Sequence, residues 1–231
     1  MARLVLVHGF TQTGRSWEPL VPALQQAGHE VVAPDVPAGL GLWNTAAALV
    51  ESAGAGMWIG YSMGGRLALH VALAHPEAVE RMVLVGATGG IDDPIDRAAR
   101  RESDDGQAAL IERIGVDAFL ERWLAQPLFA SLPPDAAGLD ARRANSPETL
   151  AGHLRLLGTG AQEPLWEQLS QLDMPVLVVA GERDGKFTEL GHRLVDSIGA
   201  NASFALVPNA GHACHLEQPQ AFLDLVLPFT G

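Results

Sequence analysis

Apolar residues along the chain fall into two alternating patterns. Short, nearly continuous apolar runs stand at Leu4–Val7, Val31–Ala33, Met57–Gly60, Met82–Val85, Val176–Gly181 and Phe204–Val207. Runs of this length, rich in valine and leucine with no polar alternate, predict parallel strands covered on both faces. Stretches with helical spacing lie between them, at Trp17–Ala27, Thr45–Ser52, Gly65–Ala74 and Glu189–Ile198. This alternation predicts an α/β fold with a doubly wound, mostly parallel sheet. Right-handed crossovers should join its strands.

The alternation lapses between Val85 and Val176. Helical patterns near Ile95–Ala99, Ala108–Ala125, Pro134–Arg143 and Leu150–Leu157 take the place of strands. They predict a helical cap over residues 91–165, inserted before the strand at Val176–Gly181. No repeat, low-complexity stretch or long linker divides the chain. Residues 1–231 therefore read as one domain carrying a cap. A chain of this length buries about 70% of the surface its unfolded form exposes, enough for a sizeable core.

Charge and cysteine usage narrow the partners. A net charge of −12 argues against nucleic acid or an anionic membrane. No apolar run reaches the ~18 residues that span a bilayer, and Met1–His8 reads as a strand rather than a signal peptide. With Cys214 the only cysteine, no internal disulfide can form, and a cytoplasmic location is expected. Of the 15 basic residues only Lys186 is a lysine. Coding bias accounts for such an excess in general. A few of these arginines could still bind carboxylates, which the guanidinium fork matches bidentately.

The chemistry begins at Gly60-Tyr61-Ser62-Met63-Gly64-Gly65, placed after one strand and opening a helix. This fits the G-x-S-x-G elbow, a sharp turn that projects a serine hydroxyl, with Gly60 and Gly64 relieving the crowding. A serine hydroxyl is a weak nucleophile until a base takes its proton. Eight histidines are available. His212, in the loop Pro208–His212 after the last strand, is the expected base, with His215 as a nearby rival. His8 is expected to be structural, and His29, His70, His75, His153 and His192 to be surface or packing residues. The base needs an acid to fix its tautomer. Asp184 follows the fifth strand and completes the order serine, aspartate, histidine; Glu182 is its rival. His8-Gly9-Phe10 follows the first strand, so the N–H groups of Phe10 and Met63 are expected to form an oxyanion hole.

With these motifs in order, the chain resembles the α/β-hydrolase superfamily. Within it, the chain is similar to the 2-succinyl-6-hydroxy-2,4-cyclohexadiene-1-carboxylate synthases of menaquinone biosynthesis. The more specific stretches are Gly60–Arg66, Trp123–Ser131, Gly158–Gln162, Gly181–Phe187 and Ala210–His215. The resemblance implies a lyase that eliminates pyruvate from a cyclohexene tricarboxylate, with the triad as base and no metal or organic cofactor. It also implies that Arg66, Arg100 and either Arg142 or Arg143 hold substrate carboxylates, and that Trp123 lines the pocket. The partner is then a small-molecule carboxylate. A carboxylesterase acting on small esters is the alternative, since the same triad performs acyl transfer. The stretch Asp35–Gly41 lacks a histidine found in the family, and Leu124 replaces an aromatic seen in some relatives.

Overall fold

The computed structural model describes residues 1–230. Six strands form one sheet: β1 (Arg3–Val7), β2 (Glu30–Val32), β3 (Gly56–Tyr61), β4 (Val79–Val85), β5 (Val176–Gly181) and β6 (Ala202–Val207). Their order across the sheet is β2-β1-β3-β4-β5-β6, and every neighbouring pair runs parallel. The helices are α1 (Val21–Gln26), α2 (Leu42–Ala53), α3 (Met63–Ala74), α4 (Pro94–Leu124), α5 (Leu139–Arg143), α6 (Pro147–Leu157), α7 (Gly185–Ile198), α8 (Cys214–Glu217) and α9 (Pro219–Phe229).

The period of two along each strand shows why the strands read as unbroken apolar runs. Val5, Val7, Trp58, Met82, Leu84, Val176 and Val178 face one core, shared with α2, α3 and α7. Leu4, Leu6, Met57, Ile59, Val83, Val85, Leu177 and Val179 face the other, shared with α1 and α9. Both faces are dry, so neither set can be polar. A fully buried leucine or valine contributes about 1.5–3 kcal/mol against exposure. A third, smaller core of Ala108, Ile111, Phe119, Leu150, Ala151 and Leu154 joins α4 to α6.

Several helical expectations differ from the structure in extent. Trp17 lies in a short 3₁₀ turn, Gly14–Trp17, separate from α1. The patterns at 95–99 and 108–125 belong to one element, α4, which breaks at Gly115, where φ is +79°. The intervening Arg100–Gln107 stretch is mostly charged or polar and carries no apolar stripe to announce a helix. Only Leu139–Arg143 of the expected 134–143 helix forms. Pro133 and Pro134 hold the chain in turns, and Gly138 takes a left-handed conformation at φ +63°. Ser146 caps α6 by accepting the Thr149 N–H at 3.1 Å. Among the described residues, no helix is long and apolar enough to cross a membrane.

Candidate active site

Ligand sites of open parallel sheets gather at the carboxyl ends of the strands. Five strands here send chain into one such region. β1 leads to Phe10, β3 to Ser62, β4 to Gly86–Thr88, β5 to Asp184 and β6 to His212. A cavity of about 160 Å³ lies among Phe10, Ser62, Met63, Arg66, Trp123 and His212. Residues 100, 123, 128, 153–154 and 157–159 wall it from the inserted side.

Ser62 sits at the turn between β3 and α3 with φ +52° and ψ −107°, a strained setting for a residue with a Cβ. The turn is held because the Ser62 N–H donates to the Val85 carbonyl at 2.8 Å. It also closes tightly: a Cβ at Gly60 would strike the Gly64 carbonyl oxygen, and one at Gly64 would strike that of Val7. Only glycine fits at either position.

His212 Nε2 lies 3.2 Å from Ser62 Oγ, and His212 Nδ1 lies 2.7 Å from Asp184 Oδ2. The Asp184 carboxylate is used twice. Its second oxygen accepts the Phe187 N–H at 3.3 Å and caps α7, so the helix terminus orients the acid. His212 and Asp184 are both buried, which keeps water from competing for their hydrogen bond. At Gly86, where φ is +56°, a Cβ would come within 2.9 Å of the His212 ring, so this glycine clears space for the imidazole. The rival acid, Glu182, is exposed and accepts the Asn209 N–H instead. The rival base, His215, is buried against Trp17, Tyr61 and Phe222 and makes no hydrogen bond among the described residues. Burial pushes its pKa down to about 3.

Phe10 and Met63 both line the cavity beside Ser62. Met63 opens α3, where the helix supplies no acceptor for its N–H. The loop after β1 is fixed from behind by Gln12, whose Oε1 accepts the Gly9 N–H at 2.9 Å. His8 adds a second anchor: its Nε2 accepts the Val36 N–H at 3.0 Å while Nδ1 lies 2.9 Å from the Gly9 carbonyl. Those partners require a neutral ring with its proton on Nδ1, and burial pushes the His8 pKa down to about 4.

The arginines divide sharply by partner. Arg66, one helical turn beyond Ser62, is buried, with Nη1 donating to Gln162 Oε1 at 3.1 Å and Nη2 to the Leu157 carbonyl at 2.6 Å. Arg142 is also buried and donates to the Ala137 carbonyl and to Thr11 Oγ1. It borders a small recess shared with Ser62, Trp123 and His212. Among the described residues neither guanidinium makes a salt bridge, and burial pushes both pKa values down to about 10, leaving both charged at neutral pH. Arg100 lines the cavity but is paired, its Nε donating to Asp104 Oδ1 at 2.8 Å. Arg143 points away and pairs with Asp117 and Asp140 at the surface.

Trp123 stacks on Phe119 and meets Phe10 edge-on, with ring centroids 5.7 and 4.9 Å apart. The sequence reading missed several residues of the site. Lys186, the only lysine, lies at the cavity mouth. His153, expected to be a surface or packing residue, is buried in the cavity wall with Nε2 3.2 Å from the Pro37 carbonyl. Glu217 takes the Gly211 and Ala213 N–H groups on its two oxygens, at 2.7 and 3.1 Å, and so brackets His212. Gln162 sat inside a motif stretch and could have been flagged there. Glu217 carried no signal.

A hydroxyl–imidazole–carboxylate chain at the end of a parallel sheet, under an inserted helical segment, defines a class. The Alpha/beta hydrolase family model matches residues 4–225, and the chain belongs to that family. Within it, a Salmonella schwarzengrund protein named 2-succinyl-6-hydroxy-2,4-cyclohexadiene-1-carboxylate synthase is 32% identical, over 96% of this chain and 90% of its own length. A Bacillus subtilis (strain 168) protein, provisionally given the same synthase name, is 38% identical over 74% of this chain and 64% of its own length. The match thus spans just under two thirds of that relative. Among solved structures, MenH from S. aureus superposes with a TM-score of 0.90 at 27% identity, covering 98% of this chain and 92% of that one.

Proposed function

We propose that the chain is a carbon–oxygen lyase that converts 5-enolpyruvyl-6-hydroxy-2-succinyl-cyclohexene carboxylate into 2-succinyl-6-hydroxy-2,4-cyclohexadiene-1-carboxylate and pyruvate. The observation that carries this reading is electrostatic. Two buried guanidinium groups with no carboxylate partner among the described residues, Arg66 and Arg142, line the cavity and recess that hold Ser62, in a chain of net charge −12. A buried charge left without a counter-ion is costly, and a polycarboxylate substrate supplies the missing partners. The synthase name of the relatives names a reaction whose product is such a carboxylate.

In this reading Ser62, His212 and Asp184 form the catalytic triad. Ser62 Oγ takes the proton from the ring carbon beside the succinyl ketone and passes its own to His212 Nε2, 3.2 Å away. Asp184 holds the imidazole by Nδ1 and stabilises the imidazolium. The electron pair from the broken C–H bond moves to the ketone as an enolate. The N–H groups of Phe10 and Met63 receive the enolate oxygen, so the device that serves acyl transfer serves elimination here. The enolate then collapses: the ketone re-forms, a C=C bond forms at the deprotonated ring carbon, the existing ring C=C shifts by one position, and the bond from carbon to the enolpyruvyl oxygen breaks. Enolpyruvate leaves, takes up the proton held by His212, which restores the neutral imidazole, and becomes pyruvate.

Arg66, Arg142 and Arg100 hold carboxylates, Trp123 packs on the substrate, and residues 91–165 act as the cap of a single domain spanning 1–231. The enzyme works in the cytoplasm on a small-molecule substrate. The test is to give purified protein the enolpyruvyl substrate and measure pyruvate. Stoichiometric release, abolished by Ser62→Ala, is expected. Brisk cleavage of p-nitrophenyl esters with no pyruvate release would assign a carboxylesterase instead.

A further inference from the structure

Gln162 is fully buried, and its position beside Arg66 is chemically unusual. Its Oε1 accepts from Arg66 Nη1 at 3.1 Å, while its Nε2 is buried and has no hydrogen-bond partner among the described residues. The orientation cannot be reversed to cure this, because a guanidinium only donates and must face the amide oxygen. Nε2 then packs near the backbone of Gly90 and stays unpaired. An unsatisfied buried donor costs stability.

Glutamate has nearly the same shape and carries no N–H to leave unpaired. It would turn the hydrogen bond into an ion pair with Arg66 and would leave no orphan donor. The neighbouring arginine shows this arrangement: Arg100 lies on the buried carboxylate of Asp104, whose other oxygen takes the Gly160 N–H at 3.2 Å. Arg66 has instead an amide and the Leu157 carbonyl, which orient the fork without neutralising it.

We infer that Gln162 is a specificity-determining positioning residue: it aims Arg66 into the cavity while leaving that charge unspent for a substrate carboxylate. The local fault is retained because the better-paired residue would occupy the anion site from within. This deepens the function proposed above and rests on Arg66 receiving a carboxylate.

The test uses Gln162→Glu, Gln162→Met and Arg66→Met in the full chain. Each is assayed on the enolpyruvyl tricarboxylate and on a neutral p-nitrophenyl ester, with thermal unfolding measured alongside. For Gln162→Glu we expect KM for the tricarboxylate to rise by about tenfold to a hundredfold, ester turnover to hold within about twofold, and Tm to stay level or rise. That pairing of weaker binding with undiminished stability is not the signature of a residue that only fills space. Unchanged KM in Gln162→Glu, with a selective loss in Arg66→Met, would overturn the inference and leave the function standing. Equal losses on both substrates in Arg66→Met would instead overturn the carboxylate reading itself. Should Gln162→Glu not fold, Gln162→Met decides. It frees the fork without adding charge, so KM should rise about threefold to tenfold on the tricarboxylate alone, and no rise would overturn the inference.

Discussion

Arg66 donates its backbone N–H to the carbonyl of Ser62 at 3.1 Å, so the hydroxyl and the buried guanidinium share one turn of α3. Residues four apart on a helix lie on the same face. The distance between the Ser62 hydroxyl and the Arg66 guanidinium is therefore set by the stiffest part of the fold.

The strain at Ser62 separates catalysis from stability. Ser62→Ala should lower turnover by about a thousandfold or more. Ser62→Gly should be equally inactive yet more stable than Ser62→Ala by about 1 kcal/mol, since glycine tolerates φ +52°. For a chain of this size that is a Tm difference of about 2–4 °C, read by calorimetry. A glycine variant less stable than the alanine variant would contradict the strain argument.

Arg142 and Arg143 are adjacent in sequence and opposite in consequence. Arg142→Met removes the buried, acid-free cation and should raise KM for the tricarboxylate by about tenfold or more. Arg143→Met breaks only exposed ion pairs and should change stability by no more than about 0.5 kcal/mol and leave KM unchanged. Steady-state kinetics on both variants check this.

On the proposed mechanism Glu217 positions His212, since it holds the backbone on either side of it. Glu217→Gln keeps one acceptor where the carboxylate supplied two, for the N–H groups of Gly211 and Ala213. The loss should cost about 1–3 kcal/mol of stability and lower kcat by about tenfold through a displaced His212, with KM little changed. A fall in stability with full kcat would remove the positioning role.

Acid should unfold the protein through its buried neutral histidines. Burial lowers His8 and His70 to about 4 and His215 to about 3, from an ordinary value of 6.5. Between those limits the unfolded chain binds more protons than the native one, so stability falls as pH drops below ~6.5. The loss continues until the folded values are reached. Each such histidine adds a slope of up to about 1.4 kcal/mol per pH unit. His215→Phe removes one of them and two unpaired nitrogens, so its acid midpoint should move to lower pH in a circular-dichroism titration. An unmoved midpoint would contradict this.

The four central strands were legible in the sequence because both faces of each are dry, leaving a short continuous apolar run in each, whereas the edge strands β2 and β6 are partly exposed and showed only as brief apolar runs. Ser62, Asp184 and His212 were legible because turn chemistry and strand ends mark them. α9 was not legible because its stretch Ala221–Phe229 is apolar almost throughout and carries Pro228 inside the helix, and the 3₁₀ turn at Trp166–Gln171 is too short to show a period. Within the inserted segment, the polar stretch of α4 and the proline-rich turns before α5 hid the true boundaries. Gln162 and Lys186 fall inside the motif stretches Gly158–Gln162 and Gly181–Phe187, but their contacts were not legible there, because they are long-range: residues 66 and 162 meet across 96 positions of chain; Glu217 lies outside every motif.

The most direct test of the account is the ratio of two specificity constants for one preparation, kcat/KM on the enolpyruvyl tricarboxylate over kcat/KM on a neutral p-nitrophenyl ester. The buried cations flanking Ser62 predict a ratio of about a thousand or more, falling toward unity when Arg66 and Arg142 are both replaced by methionine. A ratio below one in the unaltered protein, insensitive to those replacements, would contradict the claim that this site is built for a polycarboxylate.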